Sequence, residues 1–518
     1  MQWKKLNLLL SIIFYANFGF AQAGLNFFSF NNVHQLNINF QIPNYIDSLT
    51  YYKSVDDATG LETYLHAQVI IDTDTIQDVG IRFRGNASYG HPGTKKPLQL
   101  DFNEFVSGQE YDNLKKLNLN NSYLDPTQIR EKLCLDIFNQ LDLPAPRCAY
   151  AAVYYNSTYV GLYKAVETIN NDFLKTFFDN DTGNLYKCEP DMPLTWEGND
   201  QTLYYDNCEL RSNETLNDWT NLLNFLDQIN NNTVDNFENA VRPIFNLDDY
   251  IKSWASNMVM GNLDSYLYLP HNYYLYENPA TLKMEWITWD VSLAFGVYAL
   301  LVVPNSENFD IEYLPNNPET ARPLNYYCLK NNNLEKQYLT EICAFMQNYF
   351  SPAVIYSKID SIANVIRPYI QLEPSSNQMF TNQEFESNLS TTTVNYQLLG
   401  QIPGLKSFIS SRIANIKKQL CKLNWNCGIG DFIENSNAID IYPNPGSVIN
   451  IKYNVPAESS YQKFTVKDFM GRTVMNSKIN NSGGNIHSVD LSHLDAGVYF
   501  FETTLGCEPS LNKIVVVK

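Results

Sequence analysis

The sequence predicts an α+β body followed by a small all-β module. Between about residues 79 and 167, alternating apolar segments flank a helical segment, and from about residue 218 to residue 422 the apolar spacing is mainly helical. Beyond Cys427, short alternating segments return, separated by turn residues. A chain of 518 residues also exceeds the size at which single hydrophobic cores stop growing, so we expect several domains.

Residues 1–23 have the three-part layout of a secretory signal peptide. Two lysines precede an apolar run from Leu8 to Phe20, and Ala21-Gln22-Ala23 supplies the small-x-small cleavage pattern. A membrane helix is the alternative, but it needs about 20 apolar residues, and this run is shorter and contains Asn17. No later run reaches that length, so we expect an exported protein without a transmembrane segment.

The charge balance argues against nucleic acid as a partner. Acidic residues number 55 and basic residues 36, which gives a formal net charge of −19. Phosphate backbones are bound by concentrated lysine and arginine, and no basic tract occurs in the chain.

Nine cysteines are too few for a disulfide-built scaffold of this length. Export nevertheless permits disulfides, and the sequence suggests three local pairs: Cys421 with Cys427, Cys188 with Cys208, and Cys328 with Cys343. No C-x-x-C spacing of a zinc site is present, so structural cysteines are favoured over metal ligands.

The first half of the body alternates strands with one helix. Residues 24–78 show short alternating segments that predict β structure at an edge, and Val79–Phe102 predicts a hairpin with a glycine-containing loop. A helix is predicted after Asp125, which is placed to act as its N-cap, and a second hairpin turns at Asn156-Ser157-Thr158. Later, a helix over residues 247–260 precedes two strand-like runs that end near Asp290.

The C-terminal segment, residues 441–518 after a linker over residues 426–440, predicts a small β-sandwich. Four ordered motifs carry a resemblance to the type A sorting domain of the Bacteroidetes type IX secretion system: Tyr442-Pro443-Asn444-Pro445, Asp468-Phe469-Met470-Gly471-Arg472, Leu494-Asp495-Ala496-Gly497-Val498-Tyr499 and Lys513-Ile514-Val515-Val516-Val517-Lys518. The resemblance implies recognition by the secretion machinery, passage through the periplasm and outer membrane, and a secreted or surface location.

Three polar residues of the body form a candidate metal site. Asp264 follows the helix over residues 247–260, Asn272 begins a predicted strand, and Asp290 closes another. Two carboxylates and an amide from separate elements supply the oxygen ligands that Mg²⁺ prefers. Polar caps and turns are the structural alternative for each residue, and their spacing leaves both interpretations open.

A second candidate group lies in the first half of the chain. The loop after the strand ending at Phe83 offers backbone N–H groups and the guanidinium of Arg84 to a polyphosphate. Lys95 and Lys96 follow it, and Glu131 lies on the next helix. A glycine loop, a strand lysine and a helix glutamate are arranged like the N-lobe of a kinase.

The body resembles the CotH kinase family, named for the spore coat protein H. The resemblance runs from about residue 79 to residue 296 and rests on IRFRGNAS, KKPLQLDF, LNLNNSYLDPTQIREKL, VYYNSTYVGLYKAVETINNDFL, GNLYK, HNYYLY and WITWDVSLAFG. It implies an atypical two-lobed kinase-like domain over residues 79–425. It also implies a secreted protein kinase that uses ATP and Mg²⁺, or Mn²⁺, to phosphorylate a hydroxyl of an exported or surface protein.

The resemblance also suggests roles for single residues. Asp264 is expected to be the catalytic aspartate, and Asn272 and Asp290 the metal ligands. By kinase logic, Lys96 touches phosphate and pairs with Glu131, and Glu167 lies where a hinge would meet adenine.

One departure keeps a second hypothesis open. The family commonly reads W-D-x-D, whereas this chain has Trp289-Asp290-Val291-Ser292, and serine is a poor Mg²⁺ ligand beside a carboxylate. ATP is also scarce outside the cell, so a kinase would act before secretion or use another donor. The rival interpretation is a catalytically inactive, kinase-like protein that serves in surface binding or assembly.

Overall fold

The structure is a computed structural model, and it describes residues 22–29, 31–298, 305–396, 400–423, 425, 427, 439–453, 461–480, 486–505 and 508–518. The chain divides into two compact units, Met1–Arg412 and Ile413–Lys518, and each is described by itself. The predicted signal peptide lies, apart from its last two residues, outside the described residues. No described helix is both long and apolar enough to cross a membrane.

Seven strands form the first half of the larger unit: β1 (Val33–Phe40), β2 (Leu65–Ile71), β3 (Asp74–Phe83), β4 (Leu98–Asp101), β5 (Lys116–Asn120), β6 (Cys148–Tyr155) and β7 (Thr158–Glu167). They close into a barrel in the order β1-β2-β3-β4-β5-β7-β6. The parallel pairing of β1 with β6 completes the ring, and the other neighbours are antiparallel. Alternating apolar side chains of these strands form one buried cluster.

The two predicted hairpins of this half are confirmed. β3 pairs with β4, so that Phe83 lies opposite Leu98, and β6 pairs with β7 across a turn in which Asn156 and Ser157 have positive φ. Such a turn matches the twist of the flanking strands, which is why Asn-Ser-Thr marks it in the sequence.

The N-terminal segment differs from the expectation. β1 and β2 are members of the barrel, and the proposed boundary at residue 78 falls inside β3. Two helices, α1 (Leu25–Ser29) and α2 (Tyr45–Thr59), also lie in this segment. α2 was not expected from the sequence, because its buried positions are few and two of them are the charged residues Lys53 and Asp56. Its end is marked by Gly60, which has a φ of 74°.

The predicted helix after Asp125 begins five residues later, as α3 (Arg130–Gln140). The N-cap position is occupied by Ile129, which makes no side-chain capping hydrogen bond, and not by Asp125. The Asp125 carboxylate instead accepts hydrogen bonds from the Thr127 N–H at 3.0 Å and the Arg130 N–H at 2.9 Å, which shapes a turn before the helix. The Arg130 guanidinium also contacts Asp125 at 2.6 Å, in full burial.

The second half of the larger unit is mainly helical around a four-stranded sheet. Its helices are α4 (Asn171–Phe178), α5 (Thr220–Asn230), α6 (Val234–Val241), α7 (Leu247–Met260), α8 (Pro318–Ala321), α9 (Pro323–Lys330), α10 (Asn332–Asn348), α11 (Pro352–Leu372), α12 (Asn382–Asn388) and α13 (Leu405–Lys422), the last extending into the second unit. Its strands are β8 (Leu185–Cys188), β9 (Glu209–Leu210), β10 (Tyr273–Asn278), β11 (Lys283–Thr288), β12 (Val394–Tyr396) and β13 (Gly400–Ile402). The main sheet has the order β11-β10-β8-β9.

The cysteine pairs differ from the expectation at two places. Cys328 is a free thiol, so the predicted bridge to Cys343 is wrong, although Cys343 is disulfide-bonded, as are Cys421 and Cys427. Cys188 and Cys208 are also free, but their sulfur atoms lie only 3.7 Å apart.

The second unit contains the predicted all-β module. Its strands are β14 (Ile439–Tyr442), β15 (Val448–Tyr453), β16 (Tyr461–Asp468), β17 (Thr473–Asn480), β18 (Ile486–Asp490), β19 (Gly497–Leu505) and β20 (Glu508–Val516). They form two antiparallel sheets, β14-β15-β18 and β17-β16-β19-β20, which contribute to one buried cluster. Most of the predicted linker lies outside the described residues. The α+β prediction, with a terminal all-β module, is confirmed.

Candidate functional site

Asp264, Asn272 and Asp290 are brought to one end of a β-hairpin. α7 ends at Met260, and Gly261, which caps it with a φ of 62°, turns the chain toward Asp264. Asn272 directly precedes β10, and Asp290 follows β11 by two residues. Because Tyr273 lies opposite Thr288 in the register of these strands, Asn272 and Asp290 lie at the same end of the hairpin.

Backbone strain marks the same two residues. Asn272 has a φ of 62° and Asp290 a φ of 46°. Asparagine and aspartate tolerate this left-handed conformation better than most residues, yet it still costs free energy unless the surroundings impose it. Strain of this kind clusters at binding and catalytic sites.

Asp264 is held from two directions. Its Oδ1 lies 2.8 Å from Nε2 of His271, and its backbone carbonyl accepts a 2.8 Å hydrogen bond from the Asn272 amide nitrogen. Asn272 thereby uses its Nδ2, and within the described residues its Oδ1 accepts no hydrogen bond. The amide oxygen therefore remains available as a ligand.

The protonation of this pair is set by burial and by charge. Burial raises the pKa of Asp264 above its ordinary value, and the nearby charge of Asp290 acts in the same direction. Burial acts to lower the pKa of His271, but the hydrogen bond to Asp264 and the charges of Asp264, Glu189 and Asp290 together outweigh burial, so that the pKa of His271 is raised. The two side chains thus share a strong, charge-assisted contact.

Ser292 contacts Asp290 and occupies one of its oxygen atoms. The Ser292 hydroxyl donates to Oδ1 of Asp290 at 2.7 Å. Within the described residues, Oδ2 of Asp290 accepts no hydrogen bond. Ser292 therefore orients the carboxylate, and one oxygen remains free for a ligand.

Arg84 extends from the end of β3 toward this cluster. Its guanidinium lies 5.8 Å from the centre of the Trp289 ring, and its Nη1 is buried without a hydrogen-bond partner among the described residues. Burial lowers the pKa of Arg84, while the charges of Asp290 and Glu131 favour its protonated form. A buried donor without a protein partner is costly, so this Nη1 is able to donate to an anionic or polar group that enters the site.

Glu131 pairs with a lysine that the sequence analysis did not consider. Its carboxylate lies 3.0 Å from Nζ of Lys164 on β7, with both side chains almost fully buried, and it accepts a 2.6 Å hydrogen bond from Asn120. Burial opposes the charge of Lys164, but Glu131 and Asp125 together raise its pKa. This lysine and helix glutamate form the pair that the kinase comparison anticipated, with a different lysine.

The expected pairing of Lys96 with Glu131 is therefore wrong. Lys96 donates to the carbonyl oxygen of Tyr89 at 3.0 Å and to that of His91, both in the loop that precedes β4. Its ammonium also lies 5.1 Å from the centre of the Tyr89 ring. The side chain turns back onto its own loop because these carbonyls are within a few residues of it, whereas Glu131 is already paired.

Glu167 ends β7 in a buried ion pair. Arg147 approaches its carboxylate with Nη2 at 2.5 Å and Nε at 2.9 Å. Burial raises the pKa of Glu167, although the hydrogen bonds and charge of Arg147 act against that shift. The Glu167 N–H also donates to the carbonyl oxygen of Arg147 at 2.9 Å, so both its carboxylate and its N–H are already engaged by Arg147.

The donor set at the hairpin end fits a hard cation. The described residues contain no group of three or more histidine, cysteine, aspartate or glutamate side chains arranged to hold a metal ion. Asp264, Asn272 and Asp290 instead offer two carboxylates and one amide oxygen, and Mg²⁺ commonly uses only one or two carboxylates together with waters and substrate phosphates. The chemistry of these donors suits Mg²⁺ or Mn²⁺.

Of these residues, the sequence offered Asp264, Asn272, Asp290, Arg84 and Glu131 as candidates, but not Lys164. Lys164 is a charged residue in the middle of an otherwise apolar strand, and that position could have identified it as a candidate from the sequence. His271 was interpreted as a packing or hydrogen-bonding residue, and the hydrogen bond is confirmed, with Asp264 as its partner.

Comparisons with known proteins place both parts of the chain in known families. The family model described as CotH kinase protein matches residues 81–416, and the model described as secretion system C-terminal sorting domain matches residues 440–518. The inner spore coat protein H of Bacillus subtilis (strain 168) is 24% identical over 303 residues, which cover 57% of this chain and 79% of that protein. The sorting domain points to secretion or the cell surface and to contact with secretion machinery. The chain thus belongs to the CotH kinase family and ends in a secretion sorting domain.

Proposed function

We propose that this protein is a secreted atypical protein kinase that transfers the γ-phosphoryl group of ATP to a hydroxyl of an exported or surface protein. The observation that carries the proposal is the meeting of Asp264, Asn272 and Asp290 at one end of the β10–β11 hairpin, beside Arg84, whose Nη1 is buried. Oxygen ligands and a cationic donor without a partner are what a metal-bound nucleotide needs.

In this proposal Asp264 receives the proton of the acceptor hydroxyl. A new bond forms between the hydroxyl oxygen and the γ-phosphorus, the bond from that phosphorus to the bridging oxygen breaks, and its electron pair leaves with ADP. The contact with His271 fixes the orientation of the Asp264 carboxylate. Positioning is the main contribution that the chain makes to such a transfer.

The remaining residues bind the nucleotide. Asn272 and Asp290 offer oxygen ligands to Mg²⁺ or Mn²⁺, which when bound supplies positive charge beside the phosphates. Arg84 donates from its free Nη1 to a phosphate oxygen, and Lys164, held by Glu131, adds positive charge behind it. Lys96 and Glu167 support the loop and the end of β7.

A specific observation favours the rival proposal, an inactive protein of surface binding or assembly. Ser292 stands where the family commonly has a second aspartate, and it occupies one oxygen of Asp290. A single carboxylate oxygen would then face the metal, which weakens binding.

The test is incubation of the purified protein with labelled ATP and Mg²⁺ or Mn²⁺, beside the variants Asp290→Asn and Asp360→Asn. Asp360 is a matched control, because its exposed carboxylate pairs with Lys406 on the surface. Label taken up by the wild type and by Asp360→Asn, but not by Asp290→Asn, would support the kinase. No uptake together with no metal-dependent nucleotide binding would overturn it in favour of the binding protein.

A further inference from the structure

A segment near the end of the helical half contacts the loop between β3 and β4. We name residues 84–97 the glycine loop and residues 373–378 the clamp segment. The clamp segment directly follows α11, about 280 residues beyond the loop in sequence. These contacts give one part of the chain after residue 330 a structural role next to the candidate site.

Glu373 forms a buried, bidentate ion pair with Lys95 of the glycine loop. Its Oε1 and Oε2 lie 3.0 Å and 2.9 Å from Nζ of Lys95, and the two side chains are 2% and 1% exposed. Burial lowers the pKa of Lys95, and the charge of Glu373 opposes this. Lys95 is therefore committed to the clamp segment rather than to a phosphate.

The same carboxylate also reaches β7. Oε2 of Glu373 accepts a 3.2 Å hydrogen bond from the Leu162 N–H, two residues before Lys164. A side-chain carbon at Gly161 would come within 2.9 Å of that oxygen, so the strand and the clamp segment are in close contact. One carboxylate thus joins the glycine loop to the strand that carries the paired lysine.

Asn377 makes the second set of contacts. Its Oδ1 accepts a hydrogen bond from the Thr94 N–H at 3.0 Å, and its Nδ2 donates to the carbonyl oxygen of Val160 at 2.8 Å. Gly93 packs so tightly here that a Cβ atom would lie 2.0 Å from Asn377 Oδ1 and 2.4 Å from the Ser376 carbonyl oxygen. Gly93 has a φ of 61°, which glycine adopts without strain.

We infer that Glu373 and Asn377 are positioning residues that hold the glycine loop and β7 in a fixed relation, so that Arg84 and Lys164 face one nucleotide. The inference rests on the proposed function for its last clause only. Arg84 is the first residue of the glycine loop, and its N–H donates to the carbonyl oxygen of Pro97, the last residue of the loop. This hydrogen bond fixes the base of the loop, and the clamp segment fixes the loop near Gly93. Rigid support of this kind is what precise phosphate binding requires.

The test compares Glu373→Gln with Glu386→Gln in the full chain. Glu386 is a matched control, because its carboxylate is 44% exposed in a surface pair with Arg367. Backbone hydrogen exchange of residues 84–97 is expected to accelerate in Glu373→Gln and to stay unchanged in Glu386→Gln. The KM for nucleotide is expected to rise about tenfold, with kcat nearly unchanged, since a misplaced loop weakens binding.

Two further variants keep the inference testable if Glu373→Gln folds poorly. Lys95→Met with Glu373→Leu removes both buried charges, a replacement that often preserves stability. Gly93→Ala disturbs the contact with Ser376 without changing a charge. Unchanged exchange of residues 84–97 in both variants would overturn the positioning role.

The exchange measurement also separates this inference from the proposed function. If the wild type binds no nucleotide, the kinase proposal fails, and the exchange still decides whether the clamp segment holds the loop. If nucleotide binds but the exchange and the KM are unchanged in the variants, the positioning role fails and the kinase proposal remains.

Discussion

Lys164 and Glu131 form an ion pair at 3.0 Å in which neither side chain has more than 3% of its surface exposed. The lysine lies on β7 and the glutamate on α3, so the pair joins the barrel to the helix packed against it. Removing one partner leaves the other as an uncompensated buried charge.

Glu131→Gln is accordingly expected to lower the free energy of unfolding by about 3–5 kcal/mol, the range for one half of a buried ion pair. Urea denaturation at neutral pH measures it. The control is Glu386→Gln, whose surface pair with Arg367 should be worth less than about 1 kcal/mol. Equal losses in the two variants would contradict the importance of burial here.

His271→Asn should slow phosphoryl transfer by about tenfold to a hundredfold, because a hydrogen bond to a charged group is worth about 1.5–3 kcal/mol. Nucleotide affinity should stay near the wild-type value, since His271 contacts Asp264, the proposed proton acceptor, rather than Asn272 or Asp290, the proposed metal ligands. Steady-state kinetics and nucleotide titration measure the two effects separately. His66→Asn removes an exposed histidine–aspartate contact, to Asp78, and is the control that should leave both values unchanged.

Ser292→Asp is expected to increase the stabilisation by Mg²⁺. The new carboxylate would lie beside Asp290, because the Ser292 hydroxyl is 2.7 Å from that residue. Each kcal/mol of added binding free energy should raise the melting temperature of the larger unit by about 1 °C in the presence of the ion. Ser292→Ala serves as the comparison, and the same Mg²⁺-induced shift in both variants would rule out a ligand at this position.

Because His91 is buried, we expect the free energy of unfolding to fall in mild acid. Burial, with help from the charges of Lys95 and Lys96, lowers the pKa of His91 from 6.5 to about 3. Asp125 and Glu373 lie across a cavity of about 10 Å³ from it, and Glu373 is already paired. Between pH 6.5 and pH 3 the unfolded chain therefore binds the extra proton at this position, and stability falls as the pH falls.

The slope from this one group is about 1.4 kcal/mol per pH unit, so about 2 kcal/mol should be lost between pH 6.5 and pH 5. Urea denaturation at several pH values would show it, and His91→Gln should have a flatter profile than the wild type. Parallel profiles for the two proteins would mean that His91 is protonated without cost in the folded state.

Local patterns in the sequence were enough for most elements of the fold. Asn156 and Ser157 identified a hairpin, and the spacing over residues 247–260 identified α7, because turns and amphipathic helices are determined by near neighbours. The helix α2 was missed because too few of its residues are buried to produce a clear period. The insertion of β7 between β5 and β6 depends on distant pairing that no local pattern contains.

In the candidate site, too, local sequence patterns were informative and contacts between distant segments were not predictable. Asp264, Asn272 and Asp290 could be grouped from the sequence, since each adjoins a recognisable element and two of them flank one hairpin. Lys96 was assigned to Glu131 because it is the lysine that follows the glycine loop, yet Lys164 reaches Glu131 through the barrel closure. The roles assigned to these residues stay predictions until the variants are measured.

The parallel pairing of β1 with β6 limits where the chain can be truncated without opening the barrel. The family model begins at residue 81, and a fragment starting there would lack β1, β2 and most of β3. The remnant of β3, which still pairs with β4, would lose β2, and β6 would lose β1. Both would then expose unpaired backbone N–H and C=O groups, which are templates for aggregation. An insoluble or inert fragment would reflect an opened barrel, and the smallest piece worth expressing includes the strand that begins at Val33.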